Sequence, residues 1–283
     1  MQTLLTIAGF DPSSGAGVTA DLAVFAAHGF FGTACITALT VQTTTGVSGV
    51  YPTDPQTVIE TLNALQLDLP PDGIKIGMLA SEDNVAVVSD FLSRLREGGK
   101  KVPIVLDPVL QSSSGASLLT HAGLRILQER LLPLVDWMTP NLPELGILIG
   151  KRVGCPAEME SGCRDLMAKY PGLSLVATGG HLDSSSDLVA LADGTLGWIH
   201  GEKLQSRATH GTGCAFSSSL VCDLVAGMGG LEAAKRAKSY VAEAIRTAKP
   251  IGHGFGPINL LWPLVEEGKK AKEEATTPKF TSA

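Results

Sequence analysis

The chain has 283 residues, 44% of them hydrophobic and 18% charged, which suits one large α/β domain and makes disorder the exception. Its net charge is −6 with no basic block in the first 265 residues, which argues against nucleic acid as the main partner. No apolar run approaches the roughly 18 residues of a membrane span, the first residues lack the basic start of a signal peptide, and five cysteines without C-x-x-C or zinc spacing point to a reduced, cytoplasmic setting.

Residues 3–8 predict a short buried strand that runs into the small-residue loop 9–17. Residues 18–27 predict a helix with Val18, Leu22 and Phe25 on one stripe. Gly15-Ala16-Gly17-Val18-Thr19-Ala20 fits the dinucleotide pattern G-x-G-x-x-A. The acid that should follow about 20 residues on is missing, because residues 30–50 contain no Asp or Glu, so the Rossmann reading is disfavoured. Residues 33–42 predict a strand and 47–51 an edge strand. Asp54-Pro55 sets an N-cap for a helix over 54–67. A strand over 73–77 leads to a helix over 81–96, begun by Ser81 and closed by Arg94 and Arg96.

The strongly apolar strand 102–106 is followed at once by Asp107-Pro108. After the loop 111–115 come a helix over 121–131, a brief strand over 137–139 that ends in Pro140-Asn141-Leu142-Pro143-Glu144, and a helix over 156–169. A strand over 173–178 precedes Gly179-Gly180-His181, and residues 187–192 and 196–200 predict a hairpin around Asp193-Gly194. Then come His210-Gly211-Thr212-Gly213-Cys214 opening a helix to about 226, a helix over 231–247, a glycine-rich loop at 252–257, and a polar tail at 266–283. The alternation predicts a mostly parallel sheet with helices on both faces, in one domain over 1–265.

In such a sheet the loops after the strands open on one edge. That edge gathers Gly9–Gly17, Asp107, Asn141–Glu144 and Gly179–His181, and the turn at Gly211–Cys214 can face them. A helix start presents unpaired N–H groups and the positive end of the macrodipole, which makes an anion site and is expected to lower the pKa of Cys214. Carboxylates beside an anion hole call for a divalent metal such as Mg²⁺, and together they point to nucleotide-dependent phosphoryl transfer. No G-x-x-x-x-G-K-[ST] and no H-E-x-x-H occurs.

The ordered set Ala8-Gly9-x-Asp11-Pro12-Ser13-x-Gly15-Ala16-Gly17-x-x-Ala20-Asp21, Ile36-Thr37-Ala38-Leu39-x-x-Gln42, Lys75-Ile76-Gly77-Met78-Leu79, Leu106-Asp107-Pro108-Val109, Thr139-Pro140-Asn141-Leu142-Pro143-Glu144, Gly179-Gly180-His181 and His210-Gly211-Thr212-Gly213-Cys214 resembles the hydroxymethylpyrimidine/phosphomethylpyrimidine kinases of thiamine biosynthesis. These are ribokinase-like enzymes. The resemblance implies ATP and Mg²⁺ as cofactors, a small pyrimidine substrate and a homodimer. It implies that Asp21, Gln42 and Met78 line the pyrimidine pocket with Gly9, Ala16 and Val109 beside them. It makes Cys214 the base, has Gly211, Thr212 and Gly213 cradle the transferred phosphoryl, and sets Asp107, Asn141 and Glu144 around the nucleotide, with Asp107 and Glu144 as Mg²⁺ ligands partly through water. Thr178 stands where the family often has lysine, and Phe10 where a small hydroxylated residue is common. The alternatives are a pyridoxal or pyridoxine kinase and a non-catalytic phosphometabolite-binding protein; Cys214, Asp107 and Glu144 together weigh against the last.

Overall fold

The structure, a computed structural model, describes residues 1–99, 101–111, 118–180 and 185–266. Most of the 111–115 loop, His181 and the tail past Glu266 lie outside the described residues. The elements in chain order are β1 (Thr3–Phe10), α1 (Gly17–Ala27), β2 (Phe31–Thr43), β3 (Gly46–Pro52), α2 (Pro55–Asp68), β4 (Gly73–Ile76), α3 (Glu82–Glu97), β5 (Ile104–Leu106), α4 (His121–Ile126), β6 (Trp137–Met138), α5 (Leu142–Ile149), α6 (Pro156–Lys169), β7 (Ser174–Ala177), β8 (Asp187–Ala190), β9 (Leu196–Ile199), β10 (Ala208–His210), α7 (Thr212–Val225), α8 (Gly230–Arg246) and β11 (Gly256–Pro257).

One nine-stranded sheet has the order β3-β2-β1-β4-β5-β6-β7-β8-β9. The strands from β2 to β7 in that order are parallel, and β3, β8 and β9 add antiparallel edges. The chain winds outward from β1 to β2, then returns to place β4 on the other side of β1. The loops after β1 and β4 therefore diverge and leave a crevice at the carboxyl ends of the strands, the usual ligand position in open α/β sheets.

Strand alternation sorts the side chains into two helical layers. Leu5, Ile7, Ile74, Ile76, Ile104 and Leu106 pack with α2, α3, α5 and α6, while Leu4, Val105 and Val176 pack with α1, α7 and α8. Both layers are buried, so strands such as β4 and β5 carry no exposed face. On the second face β1 and β4 carry Thr6 and Lys75, both fully buried, where apolar residues would be expected.

Asp54 accepts from the Thr57 amide at 3.3 Å and Ser81 from the Asn84 amide at 3.1 Å, as their sequence positions predict. Three elements differ from expectation. The helix expected over 121–131 is α-helical only to Ile126, then widens to a π turn at Leu127–Leu131 before a 3₁₀ turn holding Pro133, whose ring nitrogen has no hydrogen for the ladder. The segment after β6 is not simply a loop: α5 begins there, capped by Asn141 and Glu144, with Pro143 tolerated in the first turn. Residues 208–210 and 256–257, read as irregular, form a small separate parallel pair.

Candidate active site

The start of α7 sits directly against the loop after β1. Gly211 is left-handed at φ 84°, and a Cβ there would lie 1.7 Å from the Gly15 carbonyl oxygen. Only glycine serves both demands. The same loop folds back on its own strand at Gly17, where a Cβ would lie 2.2 Å from the Gly9 carbonyl oxygen. Gly9 in turn meets Met78: a Cβ on Gly9 would lie 2.4 Å from the Met78 methyl carbon. The structure thus gathers Gly9, Ala16, Met78 and the Gly211–Cys214 turn at the crevice. The first turn of α7 carries no acidic side chain to compete for an anion at its N–H groups.

Behind this turn lies a buried polar cluster. Lys75 Nζ is 2.9 Å from Asp21 Oδ2, and both side chains are fully buried. Asp21 also accepts from Thr6 Oγ1 at 2.5 Å and, through Oδ1, from Ser218 Oγ of α7 at 2.8 Å. Asp21 therefore does not face open space, unlike the pocket-lining position that the resemblance implies; it ties α1, β1, β4 and α7 together. One face of α7 carries Cys214, Ser217 and Ser218 at helical spacing. Ser217 Oγ lies 3.4 Å from Asp107 Oδ2, and a Cβ on Gly213 would lie 3.6 Å from that oxygen.

Electrostatics in the cluster correct one expectation. The surroundings of the Cys214 thiol favour its protonated form. Burial pushes its pKa up to about 12; Lys75 pulls it down, Asp107 and Asp21 push it further up, and the Gly17 amide offsets only part. Burial also acts to lower the Lys75 pKa, but attraction to Asp21, Cys214 and Asp107 outweighs it and holds the ammonium above the usual lysine range. Burial raises Asp107 to about 6, against the pull of Lys75 and hydrogen bonds from Ser217 and Cys214.

Glu144 stands beside Asp107. Its Oε2 accepts from the Asn141 amide at 3.0 Å and its Oε1 from the Leu110 amide at 3.3 Å, while Asn141 Oδ1 accepts from the Glu144 amide at 2.9 Å. Glu144 and Asn141 thus close a capping box that fixes both. Burial and then the Asp107 charge push Glu144 up to about 7. Val109, two residues after Asp107, is a β-branched residue at φ 33°, a strained backbone of the kind that clusters at functional sites. Nearby, the buried Thr139 hydroxyl has no hydrogen-bond partner among the described residues. Two buried carboxylates, one of which raises the proton affinity of the other, fit a divalent cation. Among the described residues no group of three or more metal-ligating side chains occurs.

These acids set a pH dependence. Their folded-state pKa values exceed the unfolded values of about 4. The folded protein keeps protons that the unfolded chain releases, so this contribution to stability is complete below about pH 4 and is lost as pH rises through about 6 and 7. The melting temperature of the ligand-free protein is expected to fall between pH 5 and pH 8, and Asp107→Asn to flatten that slope. An unchanged slope in the variant would contradict the assignment.

Gln42, at the end of β2, is half-buried. Its Nε2 lies 3.1 Å from His210 Nε2, and its Oε1 lies 3.3 Å from Thr40 Oγ1. His210 Nε2 lies 2.7 Å from Asp11 Oδ2. His210 joins the loop after β1 to the Gln42 amide. At Thr178, where the family often has lysine, the amide bonds the Pro140 carbonyl at 2.9 Å. A cation stands behind the neighbouring Gly179: Lys238 Nζ is 2.7 Å from Asp187 Oδ2, while Asp187 Oδ1 accepts from the Gly179 amide.

The phosphomethylpyrimidine kinase family profile matches residues 11–259. The chain belongs to that family. It is 38% identical over 264 residues to the hydroxymethylpyrimidine/phosphomethylpyrimidine kinase of Haemophilus influenzae, covering 92% of this chain and 96% of that one. It is 36% identical over 260 residues to the thiamine biosynthesis bifunctional protein ThiED of Geobacter sulfurreducens, covering 91% of this chain and about half, 52%, of that longer one. Among solved structures, the phosphomethylpyrimidine kinase of Clostridium difficile 630 superposes with a TM-score of 0.76 at 31% identity, over 87% of this chain and all of that one. The ADP complex of Bacillus subtilis pyridoxal kinase superposes with a TM-score of 0.80 at 28% identity, over 91% and 96%. The fold is ribokinase-like.

Two residues of this phosphomethylpyrimidine kinase relative were not assigned from sequence, although both lie within quoted motifs. Lys75 had a visible signal: a lysine inside the otherwise apolar Gly73-Ile74-Lys75-Ile76 demands a buried partner. His210 had none, because its partners Asp11 and Gln42 lie 199 and 168 residues away.

Proposed function

We propose that the protein is an ATP- and Mg²⁺-dependent kinase of 4-amino-5-hydroxymethyl-2-methylpyrimidine that also converts the monophosphate to the diphosphate. The observation that carries this reading is the meeting of Cys214 and Asp107 at the N–H-rich start of α7, opposite the loops that hold Gly9, Met78 and Gln42. The hydroxymethyl oxygen attacks the γ-phosphorus and ADP leaves. The hydroxymethyl proton passes to Cys214 Sγ while the thiol proton is taken up by Asp107, to which the thiol is hydrogen-bonded. Desolvation favours the protonated thiol at rest, and passing its proton to Asp107 spares the site a free thiolate. Backbone N–H groups of Gly211, Thr212 and Gly213 stabilise charge on the transferred phosphoryl. Mg²⁺, held by Glu144 and through water by Asp107, would neutralise charge on the ATP phosphates, with Asn141 fixing the Glu144 carboxylate.

Release of ADP should be measured with the hydroxymethylpyrimidine, its monophosphate and pyridoxine in parallel. Turnover of the first two supports the reading. Turnover of pyridoxine alone moves the assignment to a pyridoxal kinase, which the Bacillus subtilis neighbour keeps in view. Turnover of none leaves a phosphometabolite-binding protein.

The same reading includes a homodimer and a cytoplasmic setting. Leu39, Val41 and Tyr51 are each more than half exposed on β2 and β3, and Leu39 pairs directly with Tyr51 across the strands. A second copy would cover this edge. Leu39→Asp is expected to turn a dimer into a monomer in sedimentation; a monomeric parent chain would refute the proposal. The five cysteines are all free thiols, which suits a reducing compartment. Among the described residues no helix is long and apolar enough to cross a membrane.

A further inference from the structure

The donors and acceptors around Gln42 can be counted, and the count decides which way its amide faces. Asp11 receives four donors: the Ser13 amide at 2.8 Å and Ser13 Oγ at 2.7 Å on Oδ1, and the Ala16 amide at 2.9 Å and His210 Nε2 at 2.7 Å on Oδ2. A carboxyl ringed by donors has no place for its own proton. Burial works to raise its pKa, but the bonds from His210 and Ser13 outweigh it and hold Asp11 below the usual carboxylate value. His210 Nε2 therefore carries a hydrogen, directed at Asp11.

That hydrogen creates a conflict at Gln42. Its amide nitrogen, a donor only, faces the protonated His210 Nε2 at 3.1 Å. A second conflict lies at the other end of the amide. Thr40 has one hydroxyl hydrogen but faces two acceptors, the Phe10 carbonyl at 3.0 Å and Gln42 Oε1 at 3.3 Å. Exchanging the amide oxygen and nitrogen removes both conflicts. The carbonyl then shares the His210 N–H, the NH₂ donates to Thr40, and Thr40 donates to Phe10.

We propose that His210, held by Asp11, is a positioning residue that sets the Gln42 carbonyl toward the imidazole and its NH₂ toward Thr40, making the site selective for a ring edge that offers a donor and an acceptor in matching order. The inference rests on the reading of Gln42 as the ring-binding amide. An aminopyrimidine has such an edge, an amino donor beside a ring-nitrogen acceptor, and its order is fixed. Pyridoxine carries a hydroxyl beside the hydroxymethyl group, and a hydroxyl donates or accepts as its partner requires. Losing the amide's fixed direction therefore harms the pyrimidine more than pyridoxine.

The test compares His210→Phe, His210→Gln, Gln42→Leu and the double variant His210→Phe/Gln42→Leu. KM and kcat are measured for the hydroxymethylpyrimidine, with KM or an inhibition constant for pyridoxine. His210→Phe is expected to raise the pyrimidine KM by about tenfold, a single hydrogen bond's effect, with a smaller change in kcat and about twofold or less for pyridoxine. His210→Gln, which places an N–H near the Nε2 position, should recover most of the loss. Adding Gln42→Leu to His210→Phe should change selectivity no further, because the histidine acts through that amide. Equal losses on both rings, or selectivity losses that add, overturn the inference. If His210→Phe does not fold, His210→Gln is compared with His210→Asn, whose N–H falls short of Asp11; equal selectivity in those two overturns it. A parent enzyme active on the pyrimidine with an unmoved ratio sinks this inference alone, whereas one inert toward the pyrimidine sinks the functional reading and this inference with it.

Discussion

Lys75→Met is expected to destabilise the fold by about 3–5 kcal/mol, the range seen when one member of a buried ion pair is removed. The loss comes less from the missing attraction than from what remains. Asp21 would keep its hydroxyl donors Thr6 and Ser218 but would be a fully buried carboxylate without its cation. Asp107 and Cys214 would lose the same nearby positive charge. Urea unfolding of the ligand-free protein measures this. Lys75→Met/Asp21→Asn should recover a large part of the loss, since it removes the stranded charge while keeping an acceptor for the hydroxyls. If the two single losses simply add in the double variant, the pair is not coupled as the structure places it.

Cys214→Ala should lower kcat for the hydroxymethylpyrimidine by about 10²–10⁴-fold, the usual contribution of a positioned proton acceptor. KM should change far less, because the helix-start N–H groups and Gln42 remain. Cys214→Ser, whose hydroxyl is a weaker proton acceptor but still reaches Asp107, should fall between the two. A Cys214→Ala enzyme that keeps full kcat would remove Cys214 from the proton path and leave Asp107 to act alone. The variant is also informative about stability. Removing a thiol that is protonated at rest strands no charge, so melting should change little beside Lys75→Met.

Much of the fold was legible because the chain repeats strand, loop and helix with clear punctuation. Asp54 and Ser81 are caps in sequence and in structure, and the β1 and β4 runs are apolar enough to be buried on both faces. The misses share a local cause. Pro140 and Pro143 concealed α5, although the Asn141/Glu144 spacing is a capping box, and Pro133 altered the geometry of the helix that preceded it. The site divides differently. Gly9, Ala16, Asp107, Glu144 and the Gly211–Cys214 turn lie at the sheet edge that their positions after parallel strands suggest, and Met78, named through the resemblance, lies against Gly9. What sequence could not supply is desolvation. The helix start alone argues for an acidic thiol at Cys214, but desolvation of its sulfur pushes the other way. Asp21 looks like a helix-start acid available to a ligand, but Lys75, Thr6 and Ser218 enclose it.

The close backbone approach of Gly211 to Gly15 also bears on when the enzyme becomes competent during its synthesis. The β1 loop emerges first, whereas β10 and α7 follow almost 200 residues later, as the 199-residue separation of Asp11 and His210 shows. Until α7 docks, the sheet face formed by Leu4, Val105 and Val176 lacks Phe216, Leu220 and Val221, which cover it in the finished protein. A nascent chain therefore holds a half-covered sheet and no anion site, a state prone to association in which chaperones have a natural place. Covering that face and assembling the reaction centre are one docking event, so chains stalled before α7 are both sticky and inert.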